Sequence, residues 1–335
     1  MGTMVHRVLR ALRPMSLFWR VQRRWGNFRS IARIVAKMAE SGMGTDACLQ
    51  EGCLPMRVHF YSPVPDLADL AARRVWERRS VLPGIDFQME RQLDFLGVLG
   101  ASYGGECRWP LLRPTGDPQA FYLDNGRFSY GCAASLHTMI RHLKPRRLIE
   151  IGSGCSSLVI GEAIRLNAGE GSPCRYMVID PYPGGMVAEG KIGLERLIAQ
   201  RVELVDADTF DLLDENDILF IDSGHTVRTG SDVNFLYLEV LPRLKPGVAV
   251  HIHDICLPYE YPEVYFTNPA FRVFWTEAYL LQAFLAFNAE FEVLLAMNAI
   301  QTDHMQAFRA AFPHFRLEEN WANSGSFWMR RKVRR

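Results

Sequence analysis

The sequence predicts an α/β protein: seven strands in a mostly parallel sheet, covered by helices and preceded by a mainly helical N-terminal extension. Two observations carry this. From about residue 133, short apolar runs alternate with stretches of helical spacing. Before that, residues 1–39 hold nine Arg or Lys and no acid, interleaved with Leu, Ile, Phe and Trp.

The regular part justifies itself element by element. The spacing of ASLHTMIRHL (134–143) is helical and stops before Pro145. RRLIEIG (146–152) is a short apolar run ending in glycine, as suits a buried parallel strand. SSLVIGEAIRL reads as a helix, RYMVIDP (175–181) as a strand, and VAEGKIGLERLIAQ (187–200) as a helix. RVELVDA (201–207) and DILFIDS (217–223) read as strands, SDVNFLYLEVLPRL as a helix, and GVAVHIHD (247–254) as the fifth strand. TEAYLLQAFLAF (helix), FEVLLA (strand), DHMQAFRAAF (helix) and SFWMRRKV (strand) complete the pattern. The chain divides into a basic amphipathic extension (1–43), a cap region (44–125) with turns at Pro63-Val64-Pro65, Pro83-Gly84 and Gly104-Gly105, and the α/β domain (126–335).

The composition excludes several classes. The net charge of +1 argues against a protein that is basic overall. Seven scattered cysteines with no CxxC pair indicate neither a zinc module nor a disulfide framework, and suit reduced thiols in a cytoplasm. Arginines interrupt every apolar run of residues 1–39, so no stretch there reaches transmembrane length or resembles a secretory signal. Pro14 and Gly26 divide this segment into short helices. Packing on its own domain or on a second subunit, as in a homodimer, is the plainest role. Contact with the anionic inner face of a membrane is the sharper one, and nucleic acid comes third.

In parallel sheets of this kind the ligand binds beyond the carboxyl ends of the strands. Those ends are expected to carry Glu150 to Gly152, Asp180, Asp206, Asp222, and His253-Asp254. LIEIGSGCSS forms a glycine-rich turn in which Gly152, Ser153 and Gly154 expose backbone amides at a helix start. Ser157 stands where a dinucleotide-binding turn would have its third glycine, which argues against a dehydrogenase. Glu150 would repel a pyrophosphate and attract a sulfonium or ammonium group.

These residues resemble the class I S-adenosylmethionine-dependent methyltransferases, a Rossmann-like family. Glu150 and the GSG turn resemble its first motif, over a likeness covering about residues 126–335. The resemblance implies that Asp180 holds the ribose hydroxyls and that Asp206 lies on the adenine side, with Asp208 as competitor. It places Asp222 where the methionine end meets the acceptor, and it implies that the last two strands close the sheet as an antiparallel hairpin. The stretch from ILFIDSGHTVRTGSDVNF to HIHDICLPYEYP, followed by WTEAYLLQAFL, is similar to a bacterial subgroup with IDS-H and HDI elements acting on small molecules. The chain departs from many relatives of the larger class in Cys155-Ser156, and it lacks the tryptophan expected just after YPEVY, which would wall the acceptor pocket. A non-catalytic platform docking through the basic N-terminus is the rival of another class.

Two histidines and a carboxylate at the end of an apolar strand need a reason. Strand alternation puts Ala249, His251 and His253 on one face, and Val250, Ile252 and Asp254 on the other. His253, Asp254, His225 and Asp222 are expected to converge where an acceptor hydroxyl would lose its proton, with His253 as general base. Asp222, His253 and Asp254 are the alternative ligands of a divalent metal. The metal-free route is preferred, since Mg²⁺ wants an all-oxygen shell. His251, deeper in the strand, is expected to be structural, and Asp232 a first-turn acid of its helix.

Overall fold

The computed structural model describes residues 28–190, 192–319 and 323–333. The helices expected on either side of Pro14 lie outside the described residues. The chain forms two compact units, divided after Arg73. The first contains helices α1 (Phe28–Ser41), α2 (Thr45–Gln50) and α3 (Leu67–Ala72). The Asp66 side chain caps α3 by accepting from the amides of Ala68 and Asp69.

The second unit runs α4 (Met89–Tyr103), α5 (Tyr130–Leu143), β1 (Arg147–Ile151), α6 (Cys155–Gly169), β2 (Arg175–Ile179), α7 (Gly185–Ala188), β3 (Leu194–Ile198) and β4 (Ile218–Ile221). It continues with α8 (Asp232–Phe235), β5 (Ala249–Ile252), α9 (Glu263–Thr267), α10 (Glu277–Leu285), β6 (Phe291–Ala296), α11 (Met297–Asp303), α12 (Met305–Ala311) and β7 (Phe327–Arg331). Beyond α8 the helix widens into a π turn over Leu236–Val240.

The seven strands form one sheet in the order β3-β2-β1-β4-β5-β7-β6. β1 to β5 pair in parallel, β7 runs antiparallel to β5, and β6 antiparallel to β7. Every residue of β4 and β5 is buried, as is β1 after Arg147, which accounts for their unbroken apolar runs. Helix α5 is buried from Tyr130 to Arg141 and packs on α6; Met139, Ile140, Val159, Phe220 and Trp328 join one core.

The register positions the site. Ile151 is level with Ile179 on one side and Ile221 on the other, and Ile221 is level with Ile252. The next residue of each strand is Gly152, Asp180, Asp222 and His253 in turn. One row therefore emerges at the carboxyl edge of the sheet.

The expected third strand is displaced. The helix read over 187–200 is a one-turn α7 followed by β3 at Leu194–Ile198, and the strand read over 201–207 is a 3-10 turn at Val202–Leu204. β3 lies at the sheet edge, so Glu195 and Arg196 stay exposed and mask the period-2 pattern. Arg175 of β2 holds Glu195 across the pair, Nη2 to Oε1 at 2.6 Å. In the turn, Val202 and Val205 are buried at a spacing of three, which mimics an apolar run.

Candidate active site

Gly152 follows β1 with φ +78°, and a Cβ built there would sit 2.0 Å from the Asp222 carbonyl oxygen. The two strand ends are thus in backbone contact, and the amide of Asp222 also donates to the Ile151 carbonyl at 2.9 Å. The amide and hydroxyl of Ser153 both donate to Asp180 Oδ2, at 2.8 and 2.6 Å. The Tyr182 amide donates to Asp180 Oδ1 at 2.7 Å. Asp180 therefore ties the glycine turn to the end of β2.

Two residues stand differently from the expectation. Glu150 does not face the open side of the turn: it is completely buried beneath it and accepts from the hydroxyls of Ser156 (2.6 Å), Ser157 (2.8 Å) and Tyr176. Burial pushes its carboxyl up to about 7, although these donors pull it down. Its charge is spent on anchoring the start of α6. Asp206 does not end a strand, because the third strand stops at Ile198; it is exposed and accepts from the Asp208 amide at 3.1 Å. Asp208 is held by Arg243 at 2.6 Å.

At the other end of the row five side chains meet. His225 Nδ1 lies 2.7 Å from Glu277 Oε2, while Nε2 lies 3.2 Å from Asp222 Oδ1 and 3.6 Å from Asp254 Oδ2. His253 Nδ1 faces the same two oxygens, at 3.3 and 3.6 Å. Strand alternation would separate His253 from Asp254. They meet because β5 ends at Ile252 and Asp254 takes a left-handed backbone, φ 57°. His225 is left-handed too, at φ 54°, and its loop is anchored by the Gly224 amide donating to Asp232 at 2.6 Å. Asp232 is thus more than a helix-dipole residue.

Electrostatics lock this group. Burial alone would depress His225, but Asp222 and Glu277 push it up to about 10. His253 likewise rises despite burial, through Asp254 and Asp222, and the two imidazoles hold Asp222 below the ordinary carboxylate range against its own desolvation. His253 is 3% exposed, and its other nitrogen, Nε2, lies 3.3 Å from Cys132 Sγ. Cys132 also receives the Gly325 amide at 3.2 Å and the Ser129 hydroxyl at 3.2 Å. Burial opposes its ionisation, yet His253 brings the thiol down to about 7. Both His253 nitrogens are therefore engaged by the protein. The general base expected at His253 has no free nitrogen; the more exposed carboxylates, Asp222 at 28% and Asp254 at 22%, present the reachable atoms.

The donor atoms of Asp222, His225 and Asp254 all lie within 4.8 Å of one another. This set differs from the expected ligands Asp222, His253 and Asp254 in using His225. A buried carboxylate on the far nitrogen of a ligating histidine is the usual outer partner of such a ligand, and Glu277 occupies that place. A mixed N/O set of this kind fits Mn, Fe, Co or Zn better than Mg²⁺.

Trp275 brings an aromatic ring against the histidine cluster. Its ring lies 4.5 Å from His225 and 5.0 Å from Tyr265. It reaches the site from the start of α10, ten residues beyond Tyr265, so local sequence does not reveal it.

His251 takes no part. It is wholly buried, stacked on Trp328 at 4.2 Å and 7°, and neither ring nitrogen has a partner. Burial pushes its pKa well down, so it is neutral. His251→Phe keeps the stacked ring and removes two unsatisfied nitrogens. We expect an unchanged or higher Tm in a thermal melt; a fall beyond about 4 °C, on the order of 1 kcal/mol or more, would show that the nitrogens matter.

A family model described as a methyltransferase domain matches residues 149–255, the stretch that runs from the glycine turn through the histidine cluster. Over these residues the chain carries a methyltransferase domain. A protein of Archaeoglobus fulgidus described only as uncharacterized is 33% identical to this methyltransferase over 165 residues, covering 47% of this chain and 73% of its own. Among solved structures, one named "cmcI-N160 SAH" is 17% identical with a TM-score of 0.33, over 68% of this chain and 82% of that one. A coclaurine N-methyltransferase bound to N-methylheliamine and SAH is 9% identical with a TM-score of 0.30, over 94% and 99%.

Proposed function

We propose that this methyltransferase moves the methyl group of S-adenosylmethionine to a hydroxyl of a small-molecule acceptor. The observation that supports this best is the single row of strand ends. It sets the glycine turn and Asp180 beside two buried histidines that face the part-exposed carboxylates of Asp222 and Asp254. Gly152, Ser153, Gly154 and Asp180 would hold the cofactor, with Asp206 on the adenine side and Asp222 near the methionine end. The acceptor oxygen attacks the methyl carbon, the carbon–sulfur bond breaks, and S-adenosylhomocysteine leaves. The hydroxyl proton passes to the carboxylate of Asp254, whose position beside Asp222 is fixed by His225 and His253.

A second reading has its own support. Asp222, His225 and Asp254 would hold a divalent metal ion, with Glu277 orienting His225. When bound, such an ion would lower the pKa of the acceptor hydroxyl. The test of both is one experiment. The protein, with and without EDTA, is incubated with methyl-labelled S-adenosylmethionine and cell extract, and labelled small molecules are separated. Label in a product in both samples supports the metal-free route, and loss with EDTA the metal route. Failure to bind S-adenosylmethionine or S-adenosylhomocysteine by calorimetry would overturn the proposal itself.

A further inference from the structure

Among its described residues, 28 to 73, the N-terminal unit has helices but no buried side chain. In α1 the apolar residues Phe28, Ile31, Ile34, Val35 and Met38 follow helical spacing along one face. Four of them are openly exposed: Phe28 40%, Ile31 36%, Ile34 59% and Val35 43%. Arg29, Arg33 and Lys37 recur every four residues on the opposite face. A lone helix of 14 residues is marginal in water, so α1 needs something to cover its apolar stripe. The same unit shows a second apolar feature: Phe60 and Tyr61 are 87% and 82% exposed, their rings 4.2 Å apart.

Charge selects among the partners that could cover this stripe. Residues 1–39 carry nine Arg or Lys and no acid. A second copy docking face to face would bring two such segments together and repel. Nucleic acid would match the charge but leave the apolar stripe in water. A bilayer surface containing anionic lipid satisfies both, taking the stripe among its acyl chains and the basic face among its headgroups. The 14 described residues of α1 span roughly 21 Å, against about 30 Å of hydrocarbon, and Arg29, Arg33 and Lys37 interrupt them. No helix among the described residues is long and apolar enough to span a membrane.

We propose that α1 lies on anionic membrane surfaces and holds the methyltransferase there as a peripheral protein. The full chain is floated with vesicles of phosphatidylcholine alone or with three-tenths phosphatidylglycerol. Recovery is expected with the anionic vesicles only, falling as salt rises. Replacing Arg29, Arg33 and Lys37 together by Glu should weaken binding roughly a hundredfold or more, at about fivefold for each basic residue near such a surface. Ile34→Asp, at an exposed position, should abolish flotation while circular dichroism and S-adenosylhomocysteine binding stay as in the wild type. Equal recovery with both vesicle types, or variants that float like the wild type, would overturn the proposal. So would a protein that floats with neither and forms dimers that Ile34→Asp dissociates, since the stripe would then be a subunit contact.

Discussion

Gly152→Ala is expected to destabilise the α/β unit by about 2–5 kcal/mol and to abolish cofactor binding, whereas Gly154→Ala should leave stability almost unchanged. The two glycines look equivalent in the GSG turn but differ in cause. At Gly152 two penalties combine. A left-handed backbone costs a residue with a Cβ roughly 1–2 kcal/mol, and forcing an atom into packed structure costs about 1–3 kcal/mol more. The second is severe here, because the Cβ would lie 2.0 Å from a backbone carbonyl of the neighbouring strand end. At Gly154 φ is 174°, extended backbone that any residue adopts, and no atom lies within 4 Å of a built Cβ. Any loss in Gly154→Ala must therefore come from the ligand. Urea unfolding and calorimetry with S-adenosylhomocysteine separate the two. If Gly154→Ala binds as tightly as the wild type, the cofactor does not pass over this turn.

Much of this was legible in the chain, and the failures have physical causes. Buried parallel strands announce themselves, since both faces must be apolar: RLIEI, ILFI and AVHI were found at their places. The edge strand LERLI was not, because its exposed Glu195 and Arg196 give it the charge pattern of a helix surface. That error moved Asp206 off a strand end. The sequence places Glu150 but not its direction: whether a strand-end carboxylate looks outward depends on Ser156, Ser157 and Tyr176, and Tyr176 comes from another strand. The partners that define the histidines lie far away in sequence. Glu277 is 52 residues from His225, and Cys132 is 121 from His253. The signal for Glu277 is an acid at the head of EAYLLQAFL, a helix whose first two residues are buried. A first-turn acid usually needs no further explanation, which is why it passes unnoticed.

His225→Ala should lower turnover by about 10–100-fold, the range of a partner that orients a reacting group, with affinity for S-adenosylhomocysteine little changed. His225 bridges Glu277 on one side and the two strand-end carboxylates on the other, so its loss frees Asp222 and Asp254 to repel each other. It also strands Glu277, which is completely buried. An uncompensated buried carboxylate costs on the order of 3–5 kcal/mol, so the alanine variant could fail through unfolding alone. Glu277→Gln avoids this: it keeps the shape and a hydrogen bond while removing one of the charges that hold His225 protonated. Such an outer partner is worth about 10–100-fold in activity or metal affinity, and the variant should lose that much while melting near the wild type. The pH dependence of stability supplies an independent readout. His225 rises from an ordinary 6.5 to about 10 in the fold. A raised pKa means that the folded state holds the proton more tightly, so the stabilisation is complete below 6.5 and drains away as pH climbs to 10. The wild type should therefore lose Tm across that window, and His225→Gln should lose less. If the His225 variants fold, methylate at the wild-type rate and melt with an unaltered pH profile, the cluster is structural and the acceptor binds elsewhere.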